Sequence, residues 1–503
     1  MQELTIRTTD GGETTLSTSE LNTFVSGLKG SVTTQADPDY EKVRPVWNAT
    51  AERMPAMFVH CVGEQDVQRT IRLVRERGLL LGVRGGGHNI AGNALANGGV
   101  VIDFSAQRGV EVDADKRHAR VQPGALLQDV DRETQRYGLA TPLGINSTTG
   151  VAGLTLGGGI GWLSRRFGLT VDNLHSVRMV TADGDAVRAS ENENAELFWA
   201  IRGGGGNFGV VTSFDFRLHP VGPEVVAGLI VHPADDIAAL LQQYREVAEA
   251  CPNELTVSVV LRKAPPLPFL DESVHGQLVV ILAVCYTGAP GDAERALAPL
   301  RAIGKPHADV VGPAKFAEFQ QMFDPLLTKG ARNYWKTNNF ASLEDGLLSE
   351  LAIAAESLPG PECELFVVQL GGAVSLLPDD ATAYMGRSAP FTMNAHARWQ
   401  KPEEDDVYVR WAREVAKNTG RYASEGAYVN FMTQDESDRV RSAYGKNFER
   451  LATIKARVDP NNVFRVNQNV LPQVPDAQRA ARTDDRRTSA TGRDQSLEAP
   501  GTP

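Results

Sequence analysis

The sequence predicts an α+β protein in which a mixed domain of strands and helices precedes an antiparallel sheet covered by helices. Three observations predict this class. Short apolar strands alternate with amphipathic helices early in the chain, three glycine-rich segments lie between residues 84 and 211, and the order strand, helix, strand, strand, helix occurs from about residue 225 and then roughly repeats up to residue 420. The chain has 503 residues, 42% of them hydrophobic, which is enough to bury an extended core.

The early region alternates strands and helices. "MFVHCV" reads as a strand, and the following "EQDVQRTIRLVRER" carries Val67, Ile71 and Val74 at helical spacing. "LLLGV" and "VVIDFS" read as further strands, and "ALLQDVDRETQRYG" as an amphipathic helix ending at Gly138. Hairpins are expected at Asp113–Lys116 and at Asp183-Gly184.

The later region has a different character. "VVAGLIVHP", "DDIAALLQQYREVAEA", "ELTVSVVLRK", "QLVVILAVCY" and "DAERALAPLRAIG" form a first round of strand, helix, two strands and helix. "NYWKTNNFA", "DGLLSELAIAAES", "CELFVVQLGGAV" and "TMNAHARW" begin a second. This order predicts an antiparallel sheet with helices on one face, forming a separate substrate-side domain.

Composition excludes several classes of protein. A net charge of −11 argues against a nucleic-acid partner, because binding the phosphate backbone needs a basic face. No apolar run reaches the ~18 residues of a membrane span, and the first residues lack the apolar segment of a secretory signal. Cys61, Cys251, Cys285 and Cys363 are widely spread, which predicts neither disulfides nor a metal site. We therefore expect a metal-free cytoplasmic protein without membrane partners, of undetermined oligomeric state.

The glycine clusters indicate a bound ligand. Gly204, Gly206 and Gly209 have GxGxxG spacing, but they follow a probable helix and precede the strand "VVTSFDF", so they are not a Rossmann fingerprint. Glycine loops allow close backbone approach, and their N–H groups form concavities that bind anions. A pyrophosphate is the expected guest.

Five segments together resemble a known family: "GVRGGGHNIAG", "GLTLGGGIGWLSRRFGLTVDNL", "AELFWAIRGGGGNFGVVTSF", "GAYVNF" and "YGKNFERLATIKARVDPNNVFRVNQNV". They resemble the berberine-bridge-enzyme-like FAD-linked oxidoreductases of the vanillyl-alcohol-oxidase superfamily, from about residue 40 to 472. The resemblance implies a PCMH-type FAD-binding domain of two subdomains (35–222), a substrate domain (223–420) and a C-terminal berberine-bridge-like segment returning to the FAD domain (421–473). Residues 1–34 are then an N-terminal extension, and the polar residues 474–503 are expected to be a disordered tail.

The same resemblance assigns the cofactor residues. His88 stands where the family has a histidine bonded to the flavin 8α-methyl, so we expect covalent FAD attached there. The other implied cofactor contacts are Arg84, Gly85, Gly86, Gly87, Asn89, Gly92, Gly144, Thr149, Gly150, Gly153, Gly157, Gly158, Gly159, Gly161, Asn207, Gly209, Val211, Asn430 and Asn467. Arg84 is expected to stabilise its loop or to face phosphate rather than to act in catalysis.

Two positions near residue 146 bear on the cofactor. Many relatives have a second attachment through a cysteine, but Asn146 stands at that position, so a single attachment is predicted. Thr149 stands where relatives control oxygen access to the flavin. Because threonine has almost the shape of valine, which permits access in relatives, we favour an oxidase over a dehydrogenase.

Catalytic and substrate residues are less strongly marked. "YVNF" resembles a family strand beside the flavin, where alternation would place Tyr428 and Asn430 on one face. Tyr428 is the candidate general base or proton shuttle, which requires that its pKa be depressed or its proton shared, and Asn430 would orient flavin or substrate. Tyr334, Trp335, His396 and Trp399 lie on probable strands and could line the substrate pocket or belong to the core.

The resemblance therefore implies a flavoprotein oxidase that takes a hydride from a small-molecule secondary alcohol, sugar hydroxyl or amine and returns the electrons to O2 as H2O2. Two alternatives remain: a flavin dehydrogenase with another acceptor, and a flavin-binding protein without turnover.

Overall fold

The computed structural model describes residues 2–473, so the predicted tail at 474–503 lies outside the described residues. The strands are β1 (Leu4–Arg7), β2 (Glu13–Leu16), β3 (Ser31–Thr34), β4 (Met57–His60), β5 (Leu81–Arg84), β6 (Val100–Asp103), β7 (Val110–Asp113), β8 (His118–Val121), β9 (Leu139–Ala140), β10 (Leu174–Val180), β11 (Ala186–Ser190), β12 (Val210–Arg217), β13 (His219–Pro220), β14 (Glu224–Pro233), β15 (Leu255–Lys263), β16 (Leu278–Tyr286), β17 (Ala308–Asp309), β18 (Gly312–Lys315), β19 (Arg332–Phe340), β20 (Glu364–Gln369) and β21 (Phe391–Trp399).

The helices are α1 (Thr18–Ser26), α2 (Tyr40–Val43), α3 (Glu64–Arg77), α4 (Leu127–Gln135), α5 (Val151–Leu156), α6 (Ser164–Phe167), α7 (Ala195–Ile201), α8 (Ile237–Ala250), α9 (Ala293–Arg301), α10 (Phe316–Phe319), α11 (Asp345–Glu356), α12 (Asp405–Thr419), α13 (Val440–Tyr444) and α14 (Phe448–Val458). None of the helices in the described part is long and apolar enough to cross a membrane.

The first part of the molecule contains two larger sheets and two strand pairs, β1-β2 and β9-β13. One has the order β3-β4-β6-β5, in which β4, β5 and β6 run parallel and β3 is antiparallel. The helix predicted from "EQDVQRTIRLVRER" is α3, in which Val67, Ile71 and Val74 are buried. Gly78, with φ +62°, caps its C-terminus. The other sheet has the order β11-β10-β12-β8-β7 and contains both predicted hairpins.

The substrate-side region is an antiparallel sheet covered by helices, as predicted, and the sheet has eight strands. Its main path is β17-β14-β16-β15-β20-β21-β19, β18 pairs with β14, and all of its pairings are antiparallel. Along β16, Val280, Leu282 and Val284 pack under the covering helices, whereas Val279 and Ile281 pack on the opposite side. Both faces are therefore buried, which explains why these strands read as continuous apolar runs.

The C-terminal segment packs back into the first part of the molecule. Leu451 of α14 and Val470 share one apolar cluster with Phe208 and Phe214. The side chain of Lys455 is fully buried, and its Nζ donates to Asp459 Oδ2 at 2.6 Å. The boundaries predicted between the domains stay a prediction.

Glycines Gly204, Gly206 and Gly209 lie after α7 and before β12. A Rossmann fingerprint requires the reverse order, a strand followed by a helix. The rejection of that motif from sequence is therefore confirmed.

Candidate functional site

A large cavity lies between the glycine loops and the inner face of the eight-stranded sheet. Its lining comes from distant segments: the loop after β5, the loop before α5, the loop before β12, the C-terminal segment, and β19, β20 and β21. The predicted site residues that line it are Gly85, Gly86, Gly87, His88, Asn89, Gly144, Thr149, Gly150, Gly153, Gly209, Val211, Tyr428, Asn430, Asn467, Trp335 and His396.

His88 is a partly exposed imidazole in the wall of this cavity, with its Nε2 atom buried. Burial lowers the pKa of His88 to about 3, with smaller contributions of the same sign from His396 and Arg398. Among residues 2–473, its Nε2 is buried and has no hydrogen-bond partner. A buried nitrogen without a partner is unfavourable unless a ligand meets it, so the ring suits a bond to a bound group.

Glycines shape the cavity in two ways. Gly86 and Gly150 pack backbone to backbone, because a Cβ added at Gly86 would lie 2.4 Å from the Cα of Gly150. At Gly153 and Gly206, by contrast, an added Cβ would meet nothing within 4 Å. Both of these glycines line the cavity, so their missing side chains leave space for a ligand beside the backbone. Together with His88, this cradle fits FAD.

Several predicted cofactor residues lie outside the lining. Gly157, Gly158, Gly159 and Gly161 instead allow close packing within the protein, since an added Cβ would collide with Asn430, Tyr384, Thr170 and Leu143 respectively. These glycines are therefore needed for the shape of the loop that carries the site, and their contact with the cofactor stays a prediction.

Arg84, Gly92 and Asn207 are also structural. Arg84 Nε and Nη2 donate to the two carboxylate oxygens of Asp103 at 2.7 and 2.8 Å. Of the two roles expected for Arg84, this pairing fits stabilisation of its loop. An added Cβ at Gly92 would meet Ala51. Buried Asn207 donates to the carbonyls of Gly204 and Gln468, and its Oδ1 accepts from Val470 N.

Tyr428 and Asn430 come together, but not on a strand. Residues Val429–Phe431 form a short 3-10 turn, so the predicted strand is wrong. The turn brings Asn430 Nδ2 within 3.0 Å of both the Tyr428 hydroxyl and the Leu154 carbonyl, to which it donates. Burial raises the pKa of Tyr428 to about 12, although the donors Asn430, Ile160 N–H and Gly159 N–H favour the ionised phenol. The expected depression of its pKa is therefore not found.

Strand alternation divides the four predicted substrate residues. Trp335 and His396 are directly paired across β19 and β21 and face the cavity, with their rings 4.8 Å apart. Tyr334 and Trp399 point to the helix-covered face, where they donate to Asp435 and Asp405. Their assignment to the pocket is wrong because neighbouring residues on a strand face opposite sides of the sheet.

A carboxylate that the sequence analysis missed lies beside His396. Glu364 is paired with His396 in the β20–β21 register, and its Oε1 is 3.3 Å from His396 Nδ1. Burial disfavours ionisation of Glu364, but Arg262, at 2.8 Å, and His396 hold the pKa of this carboxyl below its usual value. Burial lowers the pKa of His396, against the opposing effect of Glu364. The cavity wall thus carries a carboxylate–imidazole pair within reach of a ligand.

Three further cavity residues were not assigned from the sequence, although Phe431 ends the "YVNF" segment. Trp47 stacks on His88, and Phe431 meets Trp335 edge to face at 5.4 Å. Asn394 is 3% exposed, lines the cavity, and its Oδ1 has no partner within residues 2–473. Alternation along β21, which puts Asn394 on the same face as His396 two residues later, is the signal that could have indicated it.

The loop of Asn146 and Thr149 borders the same cavity. Asn146 Oδ1 accepts from Thr148 N and Oγ1, which fixes the amide, while its Nδ2 is buried without a partner in the described chain. Ser147 anchors the loop by donating to both oxygens of Asp324. Asn146 therefore presents a fixed N–H donor at the position where a cysteine would make a second covalent attachment.

The described residues contain no cluster of three or more side chains that could hold a metal ion, and all four cysteines are free.

Comparison with known proteins agrees with this site. The family model described as "FAD binding domain" matches residues 55–190, and the model "Berberine and berberine like" matches residues 427–471. The FAD-linked oxidoreductase YgaK of Bacillus subtilis is 32% identical over 460 residues, covering 88% of this chain and 97% of that protein. The chain therefore belongs to the berberine-bridge-enzyme-like family of FAD-linked oxidoreductases.

Some relatives and structural neighbours are named as oxidases. (R)-6-hydroxynicotine oxidase of Paenarthrobacter nicotinovorans is 28% identical over 467 residues, covering 89% of this chain and 97% of that protein. The crystal structure of 6-hydroxy-D-nicotine oxidase from Arthrobacter nicotinovorans superposes with a TM-score of 0.79 at 27% identity, covering 89% and 98% of the two chains. Xylooligosaccharide oxidase from Myceliophthora thermophila shares the fold, with a TM-score of 0.79 at 23% identity over 90% of this chain and 100% of that one.

Proposed function

We propose that the protein is an FAD-dependent oxidase that takes a hydride from a secondary alcohol, sugar hydroxyl or amine and returns the electrons to O2, giving H2O2. The observation that carries this proposal is one cavity with the uncharged imidazole of His88 in one wall and the groups Tyr428 and His396–Glu364 in another. Bound FAD supplies the hydride acceptor, and the protein supplies position and proton transfer.

His88 would hold the cofactor covalently. With FAD in the cavity, an imidazole nitrogen of His88 would bond to the flavin 8α carbon with loss of the N–H proton and one C–H hydrogen, and O2 would take up the two electrons released. A neutral ring with a free lone pair is needed for this bond, and the low pKa of His88, about 3, keeps the ring neutral at physiological pH. Asn146 cannot form the second thioether, so His88 would be the single attachment.

Tyr428 is the first candidate for taking the substrate proton. Its hydroxyl lies in a network with Asn430 and the amides of Gly159 and Ile160, all of which stabilise negative charge on the oxygen. Because its pKa is about 12, it would act by relaying a proton rather than by being ionised beforehand.

The His396–Glu364 pair is the second candidate. His396 Nε2 lies 3.0 Å from Asn333 Oδ1 and Nδ1 faces Glu364, so the ring contacts two acceptors and can exchange a proton with the carboxylate. Both residues line the cavity. Which candidate acts is decided by the pH dependence of flavin reduction in Tyr428→Phe and Glu364→Gln.

The pocket favours a small substrate that binds in an uncharged form, such as an alcohol or a neutral amine. The acidic group Glu364 is already paired with Arg262, so the sheet offers no free charge to bind an ion. Within residues 2–473, Trp335 Nε1 and Asn394 Oδ1 have no partners, and they can donate to and accept from a hydroxyl or an amine. The oxidases of 6-hydroxynicotine and of xylooligosaccharides among the relatives and structural neighbours support alcohol and amine substrates as a class.

Oxygen as the acceptor rests on Thr149, which lines the cavity and resembles valine in shape. The alternatives are another electron acceptor and binding without turnover. The test is a screen of purified protein against secondary alcohols, sugars and cyclic amines, with H2O2 and O2 measured together. Substrate-dependent H2O2 formation supports an oxidase. Anaerobic bleaching of the flavin without oxidation in air indicates a dehydrogenase, and no bleaching with any compound contradicts the proposal.

A further inference from the structure

The imidazole of His88 lies flat against the indole of Trp47. The ring centroids are 4.2 Å apart and the planes differ by 20°. Trp47 is 4% exposed, and its backbone N–H donates to the carbonyl of Gly87, next to His88. Stacking and this backbone bond together restrict the plane and the position of the imidazole ring.

Trp47 is itself held by the substrate-side region. Its Nε1 donates to the Leu327 carbonyl at 2.9 Å, and Gly330 N–H donates to the Trp47 carbonyl. The edge of Trp335 packs against the indole at a centroid distance of 5.7 Å. The orientation of His88 therefore depends on contacts with residues more than 230 positions later in the chain.

A buried cation completes the stack. The guanidinium of Arg398 lies 5.7 Å from the centre of the Trp47 ring and donates to Glu362 at 2.9 Å. A positive charge near His88 disfavours protonation of the imidazole. The arrangement thus presents His88 both oriented and neutral, the two properties that bond formation with a carbon centre requires.

We propose that Trp47 is a positioning residue for flavin attachment: its indole, held by the substrate-side region, fixes the plane of the His88 imidazole that would bond to the flavin. This inference rests on the proposed covalent bond, in which the imidazole N–H proton and one C–H hydrogen are lost and O2 accepts the two electrons. Trp47 takes no part in the electron balance, so its loss should slow attachment without preventing FAD from binding.

The experiment measures attachment directly. Apoprotein is prepared from riboflavin-starved cells and mixed with FAD in air, and flavin that stays on the polypeptide after acid precipitation is followed over time. The variants are Trp47→Leu, which removes the aromatic face, and Trp47→Phe, which keeps a face but loses the bond to Leu327. The matched control is Trp399→Leu, the same change at a buried tryptophan on the helix-covered face of the sheet.

We expect Trp47→Leu to bind FAD but to attach it about 10- to 100-fold more slowly, and Trp47→Phe about 2- to 5-fold more slowly, as misplacement of a reacting group implies. Trp399→Leu should attach FAD at the wild-type rate. Attachment at the wild-type rate in Trp47→Leu, or in Trp47→Phe if the leucine variant does not fold, would overturn the inference. Wild-type protein without acid-stable flavin would instead contradict the proposed covalent function itself.

Discussion

His88 has no titratable neighbour within three residues of the chain that would mark it as reactive, since its loop reads Gly-Gly-Gly-His-Asn. The structure supplies what the loop lacks: burial, the stacked indole of Trp47 and the positive charge of Arg398. A histidine becomes a candidate for covalent chemistry here because its surroundings keep it neutral and fixed in place.

At the same scale, the asparagine at position 146 leads us to expect a single covalent attachment of the flavin. A proteolytic digest of the flavinylated protein should show flavin on the peptide that contains His88 and on no cysteine peptide. Mass spectrometry of the yellow peptides checks this. Flavin on a cysteine peptide would show that the position of the second attachment was misassigned. His88→Ala should bind FAD that is entirely released by acid.

Tyr428→Phe tests the proton relay. The ring keeps its edge-to-face contact with Phe431 at 4.8 Å and only the hydroxyl is lost, so fold and FAD content should stay unchanged. The rate of anaerobic flavin reduction should fall by about 10²–10⁴, the usual contribution of a positioned acid–base group. Stopped-flow absorbance measures it. Reduction at the wild-type rate would leave Glu364 and His396 as the proton acceptor, and Glu364→Gln should then show the loss.

At the scale of elements, α4 carries a buried acid toward α10. Burial raises the pKa of Asp131 to about 7, and its one side-chain partner in the described chain is Gln320, whose Nε2 donates at 3.2 Å. The folded state holds the proton that the unfolded state releases above a pH of about 4. Stability should therefore fall as pH rises from about 4 to about 7 and then level off.

Asp131→Asn removes this ionisation and keeps an acceptor for Gln320. The variant should be more stable than the wild type by about 2–4 kcal/mol at pH 8 and equally stable near pH 4. Urea unfolding at the two pH values checks the difference, with exposed Asp115→Asn as the control. A difference that does not grow with pH would contradict the assignment.

Register is the second lesson at this scale. A one-residue step along β19 separates Trp335, in the cavity, from Tyr334, under the helices. The sequence predicted strands β19 and β21 but not which of their residues face the cavity. Both faces of this sheet are buried, so apolar residues do not alternate with polar ones.

At the scale of the whole molecule, buried ion pairs join distant parts of the chain. Arg387 is 1% exposed, and its two Nη atoms donate to the carboxylate of Asp172 at 2.9 and 2.6 Å, although 215 residues separate the two. Such contacts join the substrate-side region to the glycine-rich part of the molecule, and the same region holds Trp47 through the Leu327 carbonyl.

Asp172→Ala should therefore lower the free energy of unfolding by about 3–5 kcal/mol, because it leaves a buried guanidinium unpaired. Asp172→Asn combined with Arg387→Met removes the uncompensated charge and should recover part of this loss. Thermal unfolding of the three proteins, with flavin content measured alongside, tests the coupling. A double variant less stable than Asp172→Ala would show that the ion pair is not the source of the effect.

The sequence by itself determined most of the elements and the family, because glycine spacing, helical periodicity and strand runs are local properties of the chain. The strand predicted around Tyr428 is the exception, since the structure has a 3-10 turn there. The sequence marked His88, Thr149, Tyr428 and Asn430, each inside a recognisable motif. Only the tertiary structure brought Trp47, Glu364 and Asn394 to the same cavity and sent Tyr334 and Trp399 away from it. The physical reason is that stacking, burial and the side of the sheet that faces the cavity depend on packing between segments hundreds of residues apart. No local sequence pattern predicts such packing.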